Sequence, residues 1–242
     1  MRIPRIYTPQ ALTPNSKVEL DAEASHHILK VLRMDVGRPL TIFNGDGDQH
    51  TGSISRINGK SAVVILQNVE TLPNIPEIDI EIAIGMSKGD RLEWVIQKAT
   101  ELGAAKIVPL FTERCEIKLN AERAEKKLTS WKQVAISACE QSQRNVLPNI
   151  SAPTKLADYL EKCHSDVKFI MHHRSEKSLQ SISKPNSAAI LIGPEGGLSD
   201  NEIKLAQARG FAPLKIGPRI MRTETAPLSA LSIMQYLWGD LN

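Results

Sequence analysis

Cysteine is scarce in this chain of 242 residues, and so are aromatic rings. The three cysteines, Cys115, Cys139 and Cys163, are odd in number, widely spaced and without a CxxC pair. That argues against a disulfide framework or a zinc site and fits a reducing, cytoplasmic setting. Four Phe, three Tyr and three Trp are scattered along the chain, so no stacking platform for single-stranded nucleic acid is evident. No apolar run is long enough to span a membrane. The segment Met1–Pro9 has no apolar core of the kind a signal peptide needs. Charge of one sign is lacking too. Thirty Lys and Arg face 27 Asp and Glu, for a net +3 and a pI near 8.7. A polyanionic partner is permitted, but its surface must come from local placement of arginines rather than from bulk charge.

What is present divides into two rhythms. The first ~70 residues read as short strands separated by turns. Val18–Leu20, Leu40–Asn44, His50–Ile57 and Ala62–Leu66 are rich in β-branched residues, and Asn44-Gly45-Asp46-Gly47 and Asn58-Gly59 are turn sequences. A short helix is expected over Ser25–Leu32. The reading is a small β-barrel over 1–72, followed by a stiff linker, Leu72-Pro73-Asn74-Ile75-Pro76. From 76 to 242 strand and helix alternate, which predicts an α/β domain with a mostly parallel sheet. Strands are expected over Glu77–Ile84, Ile107–Leu110, Val167–Met171, Ala188–Ile192 and Pro213–Ile216. Helices are expected over Asp90–Leu102, Ala121–Ser142 and Ala226–Leu237, with capping boxes at Asp90/Glu93 and Ser199/Glu202.

Near the C-terminus one construction occurs twice: a short apolar strand, a glycine- and proline-rich turn, then a helix. The first turn is Gly193-Pro194-Glu195-Gly196-Gly197, and the second runs Gly217-Pro218-Arg219-Ile220-Met221-Arg222-Thr223-Glu224-Thr225. A tight turn needing positive φ accounts for the first as well as a binding loop does. It is neither a dinucleotide fingerprint nor a P-loop, because Glu195 replaces the second glycine and no Gly-Lys-Ser/Thr follows. A bare backbone of this kind suits a nucleoside better than a triphosphate. Arg219 and Arg222 bring rigid fork-shaped donors for phosphate or carbonyl oxygens, and Glu224 could hold Arg222 or accept a proton. In a parallel sheet the strand carboxyl ends share one edge, so Lys88, Arg114, His172, Gly193 and Gly217 should converge. The histidines lack metal-ligand spacing, no Gly-x-Ser-x-Gly elbow is present, and no residue is an obvious nucleophile.

At these residues the chain resembles the ribosomal RNA small-subunit methyltransferase E family. The likeness rests on Ile192–Gly197 with Asn201-Glu202, and on Ile216–Ala226. It extends through Lys88, Gln97–Gly103, Pro109, Thr112–Arg114 and Glu140-Gln141-Ser142-x-Arg144, and in the first half through His26/His27, Val31–Met34 and Phe43–Gly45. The resemblance implies a SPOUT trefoil-knot methyltransferase domain preceded by a PUA-like β-barrel that binds RNA. It further implies a cytoplasmic homodimer that uses S-adenosylmethionine to methylate N3 of a decoding-region uridine in 16S rRNA, with no metal and no membrane. By the same resemblance Leu191, Ile192, Gly193, Glu195, Gly196, Gly197, Ile216, Gly217, Arg219, Ile220, Met221 and Ala226 would hold the cofactor. Arg222 and Glu224 would be catalytic, and Arg2, Arg5, Arg33, Lys88, Arg114, Arg144 and His172 would contact RNA. Two alternatives stay open from the residues themselves: a SPOUT enzyme with another RNA target, such as a tRNA ribose or base, and a non-catalytic RNA-binding assembly factor.

Overall fold

The computed structural model describes residues 3–71, 77–171 and 179–241. The linker expected at 72–76 lies outside the described residues, as do Arg2 and His172. The chain forms two compact units, Met1–Ile75 with Cys139–Leu147 and Pro76–Ala138 with Pro148–Asn242.

In the first unit the strands are β1 (Arg5–Tyr7), β2 (Lys17–Glu19), β3 (Pro39–Phe43), β4 (Asp48–Asn58) and β5 (Ser61–Thr71), in the sheet order β1-β3-β4-β5-β2. Only β1 and β3 run parallel. The β4/β5 hairpin turns at Gly59-Lys60, and its register slips between His50 and Gly52 and between Ile54 and Arg56. Gly52 is needed at the first slip, since a Cβ there would lie 2.5 Å from the Ile65 carbonyl oxygen. Helix α1 (Ala22–His26) is capped by Asp21, whose side chain accepts from the amides of Glu23 and Ala24. It continues as one π turn over His27–Val31, so the helix expected at 25–32 begins earlier and widens as it ends. Ile28 from that turn joins Ile6, Leu40, Ile42, Ile54, Val64 and Leu66 in a closed apolar core.

The second unit carries a sheet in which every pairing is parallel. Its strands are β6 (Asp79–Gly85), β7 (Lys106–Phe111), β8 (Asn149–Ile150), β9 (Thr154–Lys155), β10 (Val167–Met171), β11 (Ser187–Ile192) and β12 (Ala212–Leu214). The order is β12-β10-β11-β6-β7-β8, with β9 also on β7. Helices α2 (Arg91–Glu101), α3 (Ala121–Ser142) and α6 (Thr225–Trp238) bury Val95, Ile96, Trp131, Ala135, Leu231 and Met234 against Ile80, Ile82 and Ile84. Helices α4 (Leu156–Lys162) and α5 (Asp200–Ala208) lie in the second core, with Ala83, Val108, Leu110, Ala189 and Leu191. The alternation along β6 therefore sends successive side chains to opposite faces, as a sheet covered on both sides requires.

The capping box expected at Asp90/Glu93 does not form. Asp90 has φ −94° and ψ 9° and its side chain caps no amide, while Glu93 is ion-paired with Lys127 at 3.1 Å. A residue that is not extended cannot swing its carboxylate onto the amides of the first turn. The box at Ser199/Glu202 is present in full. Among the described residues no helix is long and apolar enough to cross a membrane, and no cluster of three or more His, Cys, Asp or Glu could hold a metal ion.

Candidate functional site

All the parallel strands of the second unit end on one edge, and a cavity of about 570 Å³ opens there. This falls within the ~300–1,000 Å³ range of small-molecule and cofactor sites. One wall is Ile192-Gly193-Pro194-Glu195 with Gly197 and Leu198, and the other is Leu214 through Met221 with Thr223 and Ala226. Ile170 and Met171 at the end of β10 contribute to the lining, and Arg114 stands at one side. The two glycine-rich turns thus face one another across a shared space.

Close backbone packing builds the first wall. A Cβ on Gly85, the last residue of β6, would lie 2.5 Å from Pro194 N and 2.6 Å from Pro194 Cδ. One on Gly193 would lie 2.7 Å from Leu198 N and 2.8 Å from Gly197 C. The turn is closed by the Gly197 amide donating to the Pro194 carbonyl at 2.8 Å, with Gly197 at φ +69°. Glycine at 85 and 193 is therefore a packing requirement and not merely a conformational convenience.

A buried carboxylate ties the neighbouring loop to this wall. Glu202 is 6% exposed. Its Oε2 accepts from the Ser199 amide at 2.8 Å, and its Oε1 accepts from the Glu113 amide at 2.8 Å. The loop after β7 is thereby fastened to the start of α5, and the next residue, Arg114, donates from its guanidinium to the Gly196 carbonyl at 2.8 Å. Replacing Glu202 by Gln removes an acceptor while keeping the size, and leaves a buried backbone amide without its partner. The expected loss is about 1–3 kcal/mol of stability, to be read from urea unfolding of the purified protein. An unchanged midpoint would show that the clasp contributes nothing.

Of the residues expected to hold a cofactor, Ile192, Gly193, Glu195, Gly197, Ile216, Gly217, Arg219, Ile220, Met221 and Ala226 line the cavity. Leu191 does not. It is fully buried in the core on the α4–α5 side, because alternation along β11 turns it away from Ile192. Gly196 faces instead a second cleft of about 520 Å³, lined also by Lys88, Arg91, Arg114 and Glu116. Arg222 is exposed and outside the lining, although Met221 and Thr223 on either side of it belong there. Its carbonyl accepts from the amides of Thr225 and Ala226 at 2.9 and 3.0 Å, which starts α6. Glu224 occupies the helix N-cap without a side-chain cap bond, and no ion pair joins it to Arg222.

Electrostatics are uneven around the glycine turn. Lys88 pairs with Glu116, and Arg91 pairs with Glu195. The Glu116 carboxylate holds the Lys88 ammonium above its usual range. Burial works against charge on Glu195, but its own backbone amide and Arg91 prevail and keep its carboxyl below the usual range. Arg114, by contrast, has a carbonyl and no carboxylate within ion-pair distance among the described residues.

The remaining arginines separate by environment. Arg33 is exposed, with φ +50° directly after the π turn. Arg5 and Arg144, both expected at an RNA surface, differ in exposure: Arg5 is half-buried and Arg144 is buried. Arg5 donates to Gln49 and Asn145 and sits 5.0 Å from the centre of the Phe43 ring. Arg144 is 7% exposed. Asn145 donates to the Gly47 carbonyl at 3.0 Å, and the Tyr7 amide donates to Glu140 at 3.0 Å. The segment Glu140–Asn145 thus closes on β1 and on the turn after β3. Burial raises the pKa of the Glu140 carboxyl and pushes the Cys139 thiol up to about 11.

Sequence reasoning passed over Gly85, Arg91 and the Glu202–Glu113 bond. Only Glu202 carried a signal, as the closing residue of a capping box, and its second partner lies 89 residues away.

A parallel α/β sheet with a nucleoside-sized cavity at its carboxyl edge, walled by bare glycine turns and flanked by arginines, defines a class of RNA-modifying enzyme. Residues 74–235 match the family described as RNA methyltransferase domain, and residues 20–67 match the RNA methyltransferase PUA domain. The chain is 34% identical, over 243 aligned residues, to ribosomal RNA small subunit methyltransferase E of Buchnera aphidicola from Schizaphis graminum, covering 100% of this chain and 99% of that one. Two solved structures each cover all of this chain and are covered in full. One is a methyltransferase of Legionella pneumophila in complex with SAM, at 42% identity and TM-score 0.96. The other is ribosomal RNA small subunit methyltransferase E of Neisseria gonorrhoeae bound to S-adenosyl methionine, at 35% identity and TM-score 0.92. The chain belongs to the ribosomal RNA small subunit methyltransferase E family.

Proposed function

We propose that this S-adenosylmethionine-dependent rRNA methyltransferase of the small subunit acts on N3 of a decoding-region uridine in 16S rRNA. The observation that carries the reading is the single cavity shared by the two glycine-rich turns. Its residues fit the cofactor. Ile192, Leu198, Leu214 and Ile216 offer apolar faces for an adenine. A Cβ built on Gly217, a lining residue, meets nothing within 4 Å, so glycine keeps that part of the wall open. The backbone of 193–197 and 216–221 holds and orients the cofactor. When bound there, S-adenosylmethionine supplies a methyl group on a good leaving group, so orientation accounts for much of the acceleration, with ~7–11 kcal/mol as its upper scale.

The uracil N3 proton must leave for the new N–C bond to form, and the negative charge left by its departure spreads from N3 onto the two flanking carbonyl oxygens until N3 takes the methyl group and the bond to the leaving group breaks. Arg222, exposed beside the cavity, stabilises that charge with its guanidinium, as preorganised cationic donors do. Glu224, whose carboxylate makes no cap bond at the start of α6, takes the proton towards solvent. Lys88, Arg114 and Arg33 engage the RNA backbone, whereas Arg144 is buried and the half-buried Arg5 is held by Gln49 and Asn145. The protein works in the cytoplasm as a homodimer. Tyr236 on α6, 62% exposed, and Ile220, 90% exposed, are apolar groups that a second copy would cover.

Mass mapping of methylated nucleotides in 16S rRNA after incubation with the protein and S-adenosylmethionine tests the assignment. A single N3-methyluridine is the expected product. A methylated ribose, or a methylated tRNA with untouched 16S rRNA, would overturn it.

A further inference from the structure

The second cleft adjoins the first at the glycine turn, and Arg114 and Glu195 belong to the linings of both. Three cations line it, and they are not equivalent. Lys88 and Arg91 each hold a glutamate partner, Glu116 and Glu195, whereas Arg114 makes one bond to a carbonyl and has no carboxylate beside it among the described residues. The two ion pairs are open to water: the side chains are 69% and 71% exposed for Lys88 and Glu116, and 47% and 39% for Arg91 and Glu195. Exposed pairs of this kind contribute little and are easily exchanged for another anion. A single free anion gains almost nothing by displacing them. A strand that presents consecutive phosphates meets Arg114 first and can then exchange the rest.

The geometry points to this cleft as a seat for backbone phosphates of the rRNA strand beside the target base, with Glu116 and Glu195 acting as surrogate anions that the strand displaces. This deepens the reading of the protein as an rRNA methyltransferase and rests on it. Arg114 makes the contact that needs no exchange. Because Glu202 fixes the Glu113 amide and Arg114 binds the Gly196 carbonyl, a phosphate held there is registered against the turn that forms the cofactor wall. Displacement of Glu116 frees Lys88, so Glu116 lowers RNA affinity while excluding isolated anions.

The test uses the full-length protein with S-adenosylmethionine and a fluorescent 16S rRNA fragment that the wild type methylates. Affinity is measured by anisotropy across a salt series. Glu116→Gln should tighten binding severalfold, and Lys88→Gln and Arg114→Gln should each weaken it and reduce the log–log salt slope by about 0.7–0.9. The deciding measurement is the double variant Lys88→Gln/Glu116→Gln. The gain from Glu116→Gln should vanish there, because no cation remains to be released. A gain that persists would mean that Glu116 acts only by distant repulsion, and binding unchanged by Glu116→Gln would equally overturn the exchange. Failure of the wild type to transfer methyl groups to any 16S fragment would instead overturn the underlying reading, so the two failures are distinguishable.

Discussion

Alanine at position 222 is expected to slow methyl transfer by about 10²–10³-fold, the scale found when one preorganised donor to a developing oxyanion is removed. Arg222 is exposed and outside the cavity lining, so affinity for S-adenosylmethionine should be unchanged. Lysine should restore part of the rate, because it keeps the charge but loses the planar fork that spans two oxygens. Single-turnover rates at saturating cofactor, set beside calorimetric titration of the cofactor alone, separate the two effects. If rate and cofactor affinity fall together, Arg222 supports the second wall of the cavity and has no role at the uracil.

The second large effect is expected at a residue that touches no substrate. Gly85→Ala places a Cβ 2.5 Å from one backbone atom of Pro194 and 2.6 Å from its ring. Neither can rotate away, so the turn must move as a body or the strand must bend. Overpacking of this kind costs roughly 1–3 kcal/mol, and here the displaced atoms belong to a wall of the cavity proposed to hold the cofactor. A loss of about ten- to hundredfold in S-adenosylmethionine affinity follows from 1.4 kcal/mol per factor of ten. The check is calorimetry, with circular dichroism to show that the variant is folded. Undiminished affinity in a folded variant would mean that the 193–197 turn does not shape the site.

Much of this architecture was legible in local pattern, and what was not legible depends on partners far away in sequence. Five of the seven strands of the second unit stand out because buried parallel strands are short, continuous apolar runs, and β10 is bounded to the residue, whereas β8 and β9, two residues each, carry no such run. The helix over Ala121–Ser142 likewise follows from its apolar stripe. Its final turn, however, packs with the first unit, and nothing local announces that Glu140 will accept from Tyr7 or that Arg144 will be buried. Arginine in a motif reads as a ligand for RNA, and nothing local announces that the fold buries this one. The same blindness produced the false capping box at Asp90, where the residue types are right but Glu93 is taken by Lys127. The two glycine turns were visible as sequence, and their convergence followed from one rule about parallel sheets. Gly85 was missed because a close approach between β6 and a turn 109 residues later leaves no mark on either segment.

That dispersal has a consequence for how the enzyme comes into being on the ribosome. The cavity draws its walls from Arg114, the end of β10, the turn after β11 and the segment leading into α6. All-parallel pairing makes most of these contacts non-local, and such contacts form late because a long loop must close before they repay its ordering. In a nascent chain that cavity is therefore incomplete until residues as far as Ala226 have emerged. Its apolar strands β6 and β7 wait in the meantime, open to the molecular company of the exit site.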